Sequence, residues 1–295
     1  MKYVITGGAG HISSPLTEKL LNAGHDVTII GRSAEKLQAL VNKGAKAALG
    51  SVEDAAFVKN AFAGADAVYA MIPPNFAAEN FRHYQNTVAR NYVDAIIANN
   101  IKNVVVLSSI GAHLGNGCGP VDGIADFEDL LKKQNINVKF LRPSYFMYNL
   151  FNMIPLIKGM NIVGSNFGGN DDKIILVHTD DIADVAAEEL LALNFTGFSV
   201  RYIAGDEKTG AEIAEALSKA IGKPGIPWVE FSDEQLLQGM KQAGLKETMA
   251  EGYTMMGRAL REGKMQEDYR KHKPVLGKVK LEDFTKEFAA AFNAQ

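Results

Sequence analysis

The first thirty residues constrain this chain more than any other stretch. Tyr3-Val4-Ile5 is an apolar run of strand type, and Thr6 to Gly10 is a glycine-rich turn. From Ser14 the pattern becomes helical, with Leu16, Leu20 and Leu21 on one face up to Ala23-Gly24. A second strand, Asp26-Val27-Thr28-Ile29-Ile30, follows at once. Strand, glycine turn, helix and strand within roughly 30 residues form the unit that seats a dinucleotide pyrophosphate on a helix N-terminus. Glycine suits the turn because a side chain would push the phosphates off the backbone N–H groups. The spacing Gly7, Gly10, Ser13 departs from the usual fingerprint at its third position, where serine is small enough to let helix and sheet approach. The competing reading is a tight strand-to-helix turn with no ligand.

The second strand ends in Gly31-Arg32-Ser33. An acid near this point would bond the ribose 2′-OH of NAD, whereas an Arg suits the 2′-phosphate of NADP. There is no acid here; there is Arg32, with Lys36 one turn further on. The guanidinium fork matches a phosphate in charge and geometry, so the expectation is NADP(H). The alternative is that Arg32 sits near a helix start with its charge in water.

Further along, helix 34–42, strand 46–49, helix 55–62 and the strand Ala67 to Ile72 follow in turn. That strand runs into Pro73-Pro74, which stop the sheet and stiffen the next loop. A long helix spans about 81–99, with Tyr84, Val88, Tyr92 and Ala95 at helical spacing. The strand Asn103 to Leu107 is apolar, as a central parallel strand should be, and ends in Ser108-Ser109. Helix 124–133 leads to strand 138–141 and Arg142-Pro143. This alternation predicts an α/β fold, a Rossmann-type doubly wound parallel sheet, with a smaller, mostly helical C-terminal domain. Residues 1–149 plus 173–207 form the expected nucleotide-binding domain, and 150–172 plus 208–295 the expected lid. His178-Thr179-Asp180-Asp181 reads as a helix cap before Ile182, and Thr209 as another before Ala211. The cations between Arg258 and Lys280 read as a solvated face.

Ligands of such sheets bind beyond the C-terminal strand ends. That edge carries Thr6, Gly7, Gly10, His11 and Ile12, then Arg32 and Lys36, Ser51, Ile72-Pro73, Ser108 to His113, and Pro143 to Asn149. A net charge of −3 draws the chain neither to nucleic acid nor to anionic lipid. The one cysteine, Cys118, excludes an internal disulfide, and the six histidines show no pair at metal-binding helical spacing. With no apolar run long enough for a membrane and a strand beginning at residue 2, a cytoplasmic protein is expected.

Thr6-Gly7-Gly8-Ala9-Gly10-His11-Ile12 followed by Gly31-Arg32 resembles the atypical short-chain dehydrogenase/reductases, in particular the NmrA-like group. Leu107-Ser108-Ser109, Leu141-Arg142-Pro143 with Phe146 and Asn149, His178 to Ala183, and Pro274 to Phe288 extend the resemblance over essentially the whole chain. The resemblance implies an NADP-binding Rossmann domain with a smaller domain closing over the nicotinamide. Members include reductases of quinones and dyes, and proteins that bind NADP to sense redox state without catalysis. It places the glycine turn at Gly7, Gly10, His11 and Ile12, the 2′-phosphate site at Arg32 and the strand-five serine at Ser108 or Ser109. Ser51 stands where the family often has an Asp, and either touches the adenine or turns the chain.

Active members of the wider superfamily use a Tyr and a Lys four residues apart, the Tyr as proton donor. The segment Pro120 to Glu128, where the pair should lie, has no Tyr, Lys or His. Carbonyl reduction needs such a donor for the growing alkoxide. A quinone, flavin or dye needs it less, because its reduced anion is delocalised. Candidate stand-ins are Tyr145, Tyr148, His113 and His178, with Ser108 as the strand-five hydroxyl. Tyr145 to Tyr148, with Phe76 and Phe81, either line an apolar pocket for a flat acceptor or pack in the core. The expectation is an NADPH oxidoreductase for an apolar or conjugated small molecule, acting as a monomer or homodimer. A non-catalytic NADP sensor working through a protein partner is the alternative, and a sugar-nucleotide epimerase the third reading.

Overall fold

Strands and helices alternate through the first half of the chain because apolar strand runs are separated by amphipathic helices. The computed structural model describes residues 1–169 and 172–294. It opens with β1 (Lys2–Ile5), α1 (Ser13–Asn22), β2 (Asp26–Gly31), α2 (Ala34–Asn42), β3 (Lys46–Leu49), α3 (Ala55–Ala61) and β4 (Ala67–Ala70). Next come α4 (Phe81–Ala98), β5 (Asn103–Leu107), α5 (Asp122–Lys132), β6 (Asn137–Pro143) and β7 (Tyr145–Phe146). Then follow α6 (Ile154–Met160), β8 (Val163–Ser165), β9 (Ile174–Val177), α7 (Thr179–Ala192) and β10 (Phe198–Ile203). The chain continues with β11 (Asp206–Lys208), α8 (Gly210–Ala220), β12 (Trp228–Glu230), α9 (Asp233–Gln242), α10 (Glu247–Arg261), α11 (Glu267–Lys271) and α12 (Leu281–Ala294).

Seven strands form one parallel sheet in the order β10-β6-β5-β4-β1-β2-β3, so the order reverses beside β1. This is the expected doubly wound α/β sheet, and the crevice between β1 and β4 is its switch point. On one face Val4, Val68, Val104 and Phe140 of the strands meet Phe62, Val88, Tyr92 and Phe127 of the covering helices. The Phe62 and Tyr92 rings stack at 5.8 Å, and Tyr92 meets Phe127 at 6.0 Å. Such aromatic pairs add roughly 0.5–1.5 kcal/mol each to the burial itself. The helices start where capping side chains stand: Ser33 accepts from Lys36 N, Asp54 from Ala56 N and Phe57 N, and Asn80 from His83 N.

The chain divides into two units. Unit 1 comprises 1–109, 122–142 and 182–201; unit 2 comprises 110–121, 143–181 and 202–295. Residues 110–121, 143–149, 173–181 and 202–207, expected with the nucleotide-binding domain, group with unit 2. For the last three stretches the reason is strand pairing: β9 joins β7 and β11 in a separate three-stranded sheet. The sequence shows β9 but not its partners, which are two and three residues long.

Three local expectations change. β4 ends at Ala70 rather than Ile72 because Thr6 replaces the ladder there, its hydroxyl accepting from Met71 N at 2.7 Å and donating to Met71 O at 3.1 Å. The stretch 178–181 does not precede its helix: α7 begins at Thr179. His178 Nδ1 accepts from Asp180 N at 3.1 Å, while the Asp181 carboxylate accepts from Lys278 N and Val279 N at 3.1 and 3.3 Å. The cationic stretch is not wholly solvated either, since Arg258 and Arg261 both bind Asp233. Thr209 caps α8 as expected, in a reciprocal box with Glu212. No helix among the described residues is long and apolar enough to cross a membrane.

Candidate functional site

At the C-terminal edge of the unit 1 sheet, the chain leaves β1 through Gly7 and Gly8, both in the left-handed region at φ +99° and +57°. A Cβ on Gly7 would collide with Ser13 Oγ, and one on Gly10 would stand 3.0 Å from Gly7 O. Ser13 fills the third position of the fingerprint and is buried, with its hydroxyl donating to Thr6 O at 2.7 Å. The turn is further tied by Gly8 N donating to Ile30 O at 2.9 Å. Beyond it α1 begins with no side-chain cap and no acid in its first turn. An uncapped helix start behind a bare glycine turn fits a diphosphate, whose charge the helix dipole favours. His11 is exposed there and Ile12 buried.

Beside the turn, Arg32 stands exposed just past the end of β2, next to the Ser33 cap of α2. Among the described residues it has no carboxylate partner. Lys36 is exposed on the first turn of α2. Ser51 Oγ accepts from Glu53 N at 3.2 Å, which makes it a turn-former whatever else it touches. Ile72 is buried and Pro73 half-buried on the loop after β4. Thr6, Gly7, Gly10, His11, Ile12, Arg32, Lys36, Ser51, Ile72, Pro73 and Ser108 therefore share one unit and one sheet edge. Pro143 ends β6 within unit 2, its carbonyl accepting from Ile110 N at 2.9 Å.

Ser108 is 5% exposed, and its hydroxyl donates to Glu128 Oε1 at 2.5 Å. Glu128 is fully buried on α5. Arg142 grips it with Nε on Oε1 at 3.0 Å and Nη2 on Oε2 at 2.7 Å, and Lys132 Nζ approaches Oε2 at 3.2 Å. Burial pushes the Glu128 carboxyl up, but Arg142, Ser108 and Lys132 outweigh it and hold the group below the usual carboxylate range. No motif in the sequence drew attention to Glu128. The signal available was a Glu on the α5 face opposite an Arg that ends an apolar strand.

Near the start of α5 stand Asp122 and Asp126, four residues apart. Arg82 of α4 binds Asp126 through Nε at 2.7 Å and Nη2 at 2.8 Å, and lies 3.8 Å from Asp122. This face of α5 therefore carries a carboxylate pair matched to a guanidinium on α4.

The other candidates lie in unit 2. The Tyr145 ring meets Phe167 edge-on at 5.6 Å, and burial with the nearby Tyr253 pushes its phenol well above the ordinary range. Tyr148 is 43% exposed. His113 is half-buried in a short helical turn, and His178 Nε2 lies 3.2 Å from Glu287 Oε1. Of the expected pocket aromatics in unit 1, Phe76 is exposed and Phe81 packs on Tyr84 at 6.2 Å.

A family model described as NAD(P)H-binding matches residues 7–192. The chain belongs to this NAD(P)H-binding family. Its span includes the glycine turn, Arg32 and the Ser108–Glu128–Arg142 cluster. The chain is 24% identical over 248 residues to an NAD(P)H azoreductase of Xenophilus azovorans, covering 84% of this chain and 83% of that protein. In structure it is similar to an NADPH-dependent quinone oxidoreductase of Escherichia coli solved with NADPH, at TM-score 0.81 and 21% identity, over 97% of this chain and 99% of that one. It is also similar to the triphenylmethane reductase of a Citrobacter species, at TM-score 0.78 and 19% identity, over 98% and 100% of the two chains. These structural likenesses show the fold. NAD(P)H is accordingly the cofactor of this family member, and the uncapped α1 start behind Gly7 and Gly8 is the part of the chain that fits it.

Proposed function

We propose that this chain is an NADPH-dependent oxidoreductase acting on a quinone-like or other small conjugated acceptor. The observation that carries the reading is the engagement of Ser108. Its proton points into the Glu128 carboxylate, and the start of α5, where the resemblance expects the superfamily acid, carries Asp122 and Asp126. Ser108 thus keeps its proton on Glu128 and is a poor donor to a growing alkoxide. A delocalised acceptor does not need one, because it draws its protons from water. The azoreductase, quinone and dye reductase names of the relatives support the same class of acceptor.

The residues that would hold the cofactor are Gly7, Gly8 and Gly10 at the diphosphate, with Arg32 and Lys36 at the 2′-phosphate. When bound, NADPH supplies the hydride. The glycine turn and the α1 start orient it, and Arg32 selects the phosphorylated form by a charge-assisted fork. In unit 2, Tyr145 and His113 remain the candidate proton donors; the raised phenol makes Tyr145 a weak acid.

The same engagement of Ser108 favours a second reading, an NADP-sensing protein without turnover. Following NADPH absorbance with purified protein against a panel of quinones, azo dyes, flavins and triphenylmethane dyes separates the two. Acceptor-dependent oxidation is expected. Tight NADPH binding with a flat trace across the whole panel would overturn the catalytic reading in favour of the sensor.

A further inference from the structure

We propose that Tyr84, Asn91 and Tyr92 of α4 are positioning residues for the adenosine half of the coenzyme, holding from one helix face the two loops that frame it. The proposal rests on the cofactor reading above and adds three residues to it. Spacings of seven and eight put the three side chains on one side of α4. Each ends on a loop carbonyl at the C-terminal sheet edge. The Tyr92 hydroxyl donates to Met71 O at 3.0 Å, and the Tyr84 hydroxyl to Pro73 O at 2.9 Å. The Asn91 amide donates to Val52 O at 3.0 Å and Glu53 O at 2.9 Å.

The loops need these donors for a backbone reason. β4 stops at Ala70, and Pro73-Pro74 bring no N–H of their own. The carbonyls of Met71 and Pro73 lie past the end of the ladder, where a carbonyl without a donor is costly; Met71 O takes the Thr6 hydroxyl at 3.1 Å with Tyr92 as a second donor, and Pro73 O takes Tyr84. The loop after β3 turns on Ser51, and its next two carbonyls both accept from the Asn91 amide. Tyr84 also stands in the field of the groups expected at the adenosine end. Burial and the Glu53 carboxylate push its hydroxyl up to about 12, while Arg32 pulls the other way. A purely packing role for this helix face would call for the rings and no polar tips. The same helix supplies a control at its far end: Asn99 donates to Lys59 O of α3 at 2.9 Å, away from the ligand edge.

Loops held in place before binding do not have to be ordered by the ligand, so the clamp should appear as affinity. The test titrates the full chain with adenosine 2′,5′-bisphosphate and with NADPH by calorimetry, recording the thermal midpoint of each variant. Removing one such hydrogen bond corresponds to roughly a fivefold change. Tyr84→Phe and Asn91→Ala together are expected to weaken both ligands by roughly 10–30-fold. Asn99→Ala is expected to lower the midpoint while leaving both affinities within about twofold. Tyr84→Phe alone keeps the ring and the fold, and is expected to lose about fivefold. Unchanged affinity in Tyr84→Phe and the double variant would overturn the clamp, as would an equal loss in Asn99→Ala. Failure of the parent chain to bind adenosine 2′,5′-bisphosphate would instead overturn the cofactor reading.

Discussion

Replacing Glu128 by Gln tests the buried charge cluster most directly. Gln keeps the size and one carbonyl acceptor for Ser108 and Arg142 Nε, but removes the negative charge. Arg142, 5% exposed, is then left with its guanidinium in the interior, and Lys132 Nζ faces an amide instead of a carboxylate. Breaking a buried pair from one side costs about 3–5 kcal/mol. At about 2–4 °C per kcal/mol for a domain of this size, the thermal midpoint of unit 1 should fall by roughly 10 °C. The double change Glu128→Leu with Arg142→Met removes both charges and should recover most of the loss, giving a coupling of at least about 2 kcal/mol in a double-mutant cycle. The pH dependence gives an independent check. The folded carboxyl sits below its unfolded value, so its stabilisation is complete above the unfolded pKa of about 4.3 and is lost as pH falls through the folded one. The parent should therefore lose stability on acidification below about pH 5 more steeply than Glu128→Gln. Denaturant melts at pH 7 and pH 4 of the parent, Glu128→Gln, the single changes Glu128→Leu and Arg142→Met, and their double measure both effects. A Glu128→Gln variant within about 1 kcal/mol of the parent, with an unchanged acid slope, would refute the reasoning.

Arg32→Ala should weaken NADPH by about 10–100-fold and NADH by less than about threefold, measured as dissociation constants; equal losses would remove Arg32 from the 2′-phosphate site. In unit 2, Gly119 holds φ +55°, and a Cβ there would collide with Gly252 O of α10. Gly119→Ala should cost about 2–4 kcal/mol by chemical denaturation. Gly252→Ala, whose Cβ would meet nothing closer than 3.6 Å, should instead be neutral or stabilise its helix by up to about 1 kcal/mol. Asp233 accepts from Arg258 at 2.6 Å, from Arg261 at 3.0 Å and from Asn166 at 2.8 Å. Burial raises its carboxyl, but these three donors bring it down to about 2. The stabilisation it gives unit 2, about 1–2 kcal/mol after allowance for solvent, should persist at pH 7 and fade between about pH 4 and 2; Asp233→Asn should flatten that part of the acid melt.

Much of unit 1 was legible in the sequence because its strands are apolar runs separated by amphipathic helices, and because Gly7 and Gly10 stand in the turn between β1 and α1 with Arg32 just past β2. What escaped the reading was carried by long-range pairing. β7, β11 and β12 are two or three residues long and exist only through their partners, so periodicity does not reveal them. Glu128 reads as one more charge on an amphipathic helix until β6 brings Arg142 against it. Tyr84 and Tyr92 were visible at helical spacing as core positions, which their rings fill. Their hydroxyls have partners on loops 11 and 21 residues away in sequence, set by how far β4 runs. Ser108 is the converse case: its position follows from the motif, but the direction of its proton depends on α5.

Asp181 joins two distant parts of unit 2. Its carboxylate, 5% exposed, takes the backbone N–H groups of Lys278 and Val279, and a Cβ on Gly277 would collide with it. The segment entering α12 is therefore latched to the first turn of α7 through its backbone N–H groups, with room only for glycine at 277. A shortened version ending before residue 277 would take both N–H donors away from Asp181. Anyone trimming the protein for expression should either keep that latch or exchange Asp181 for an uncharged residue at the same time.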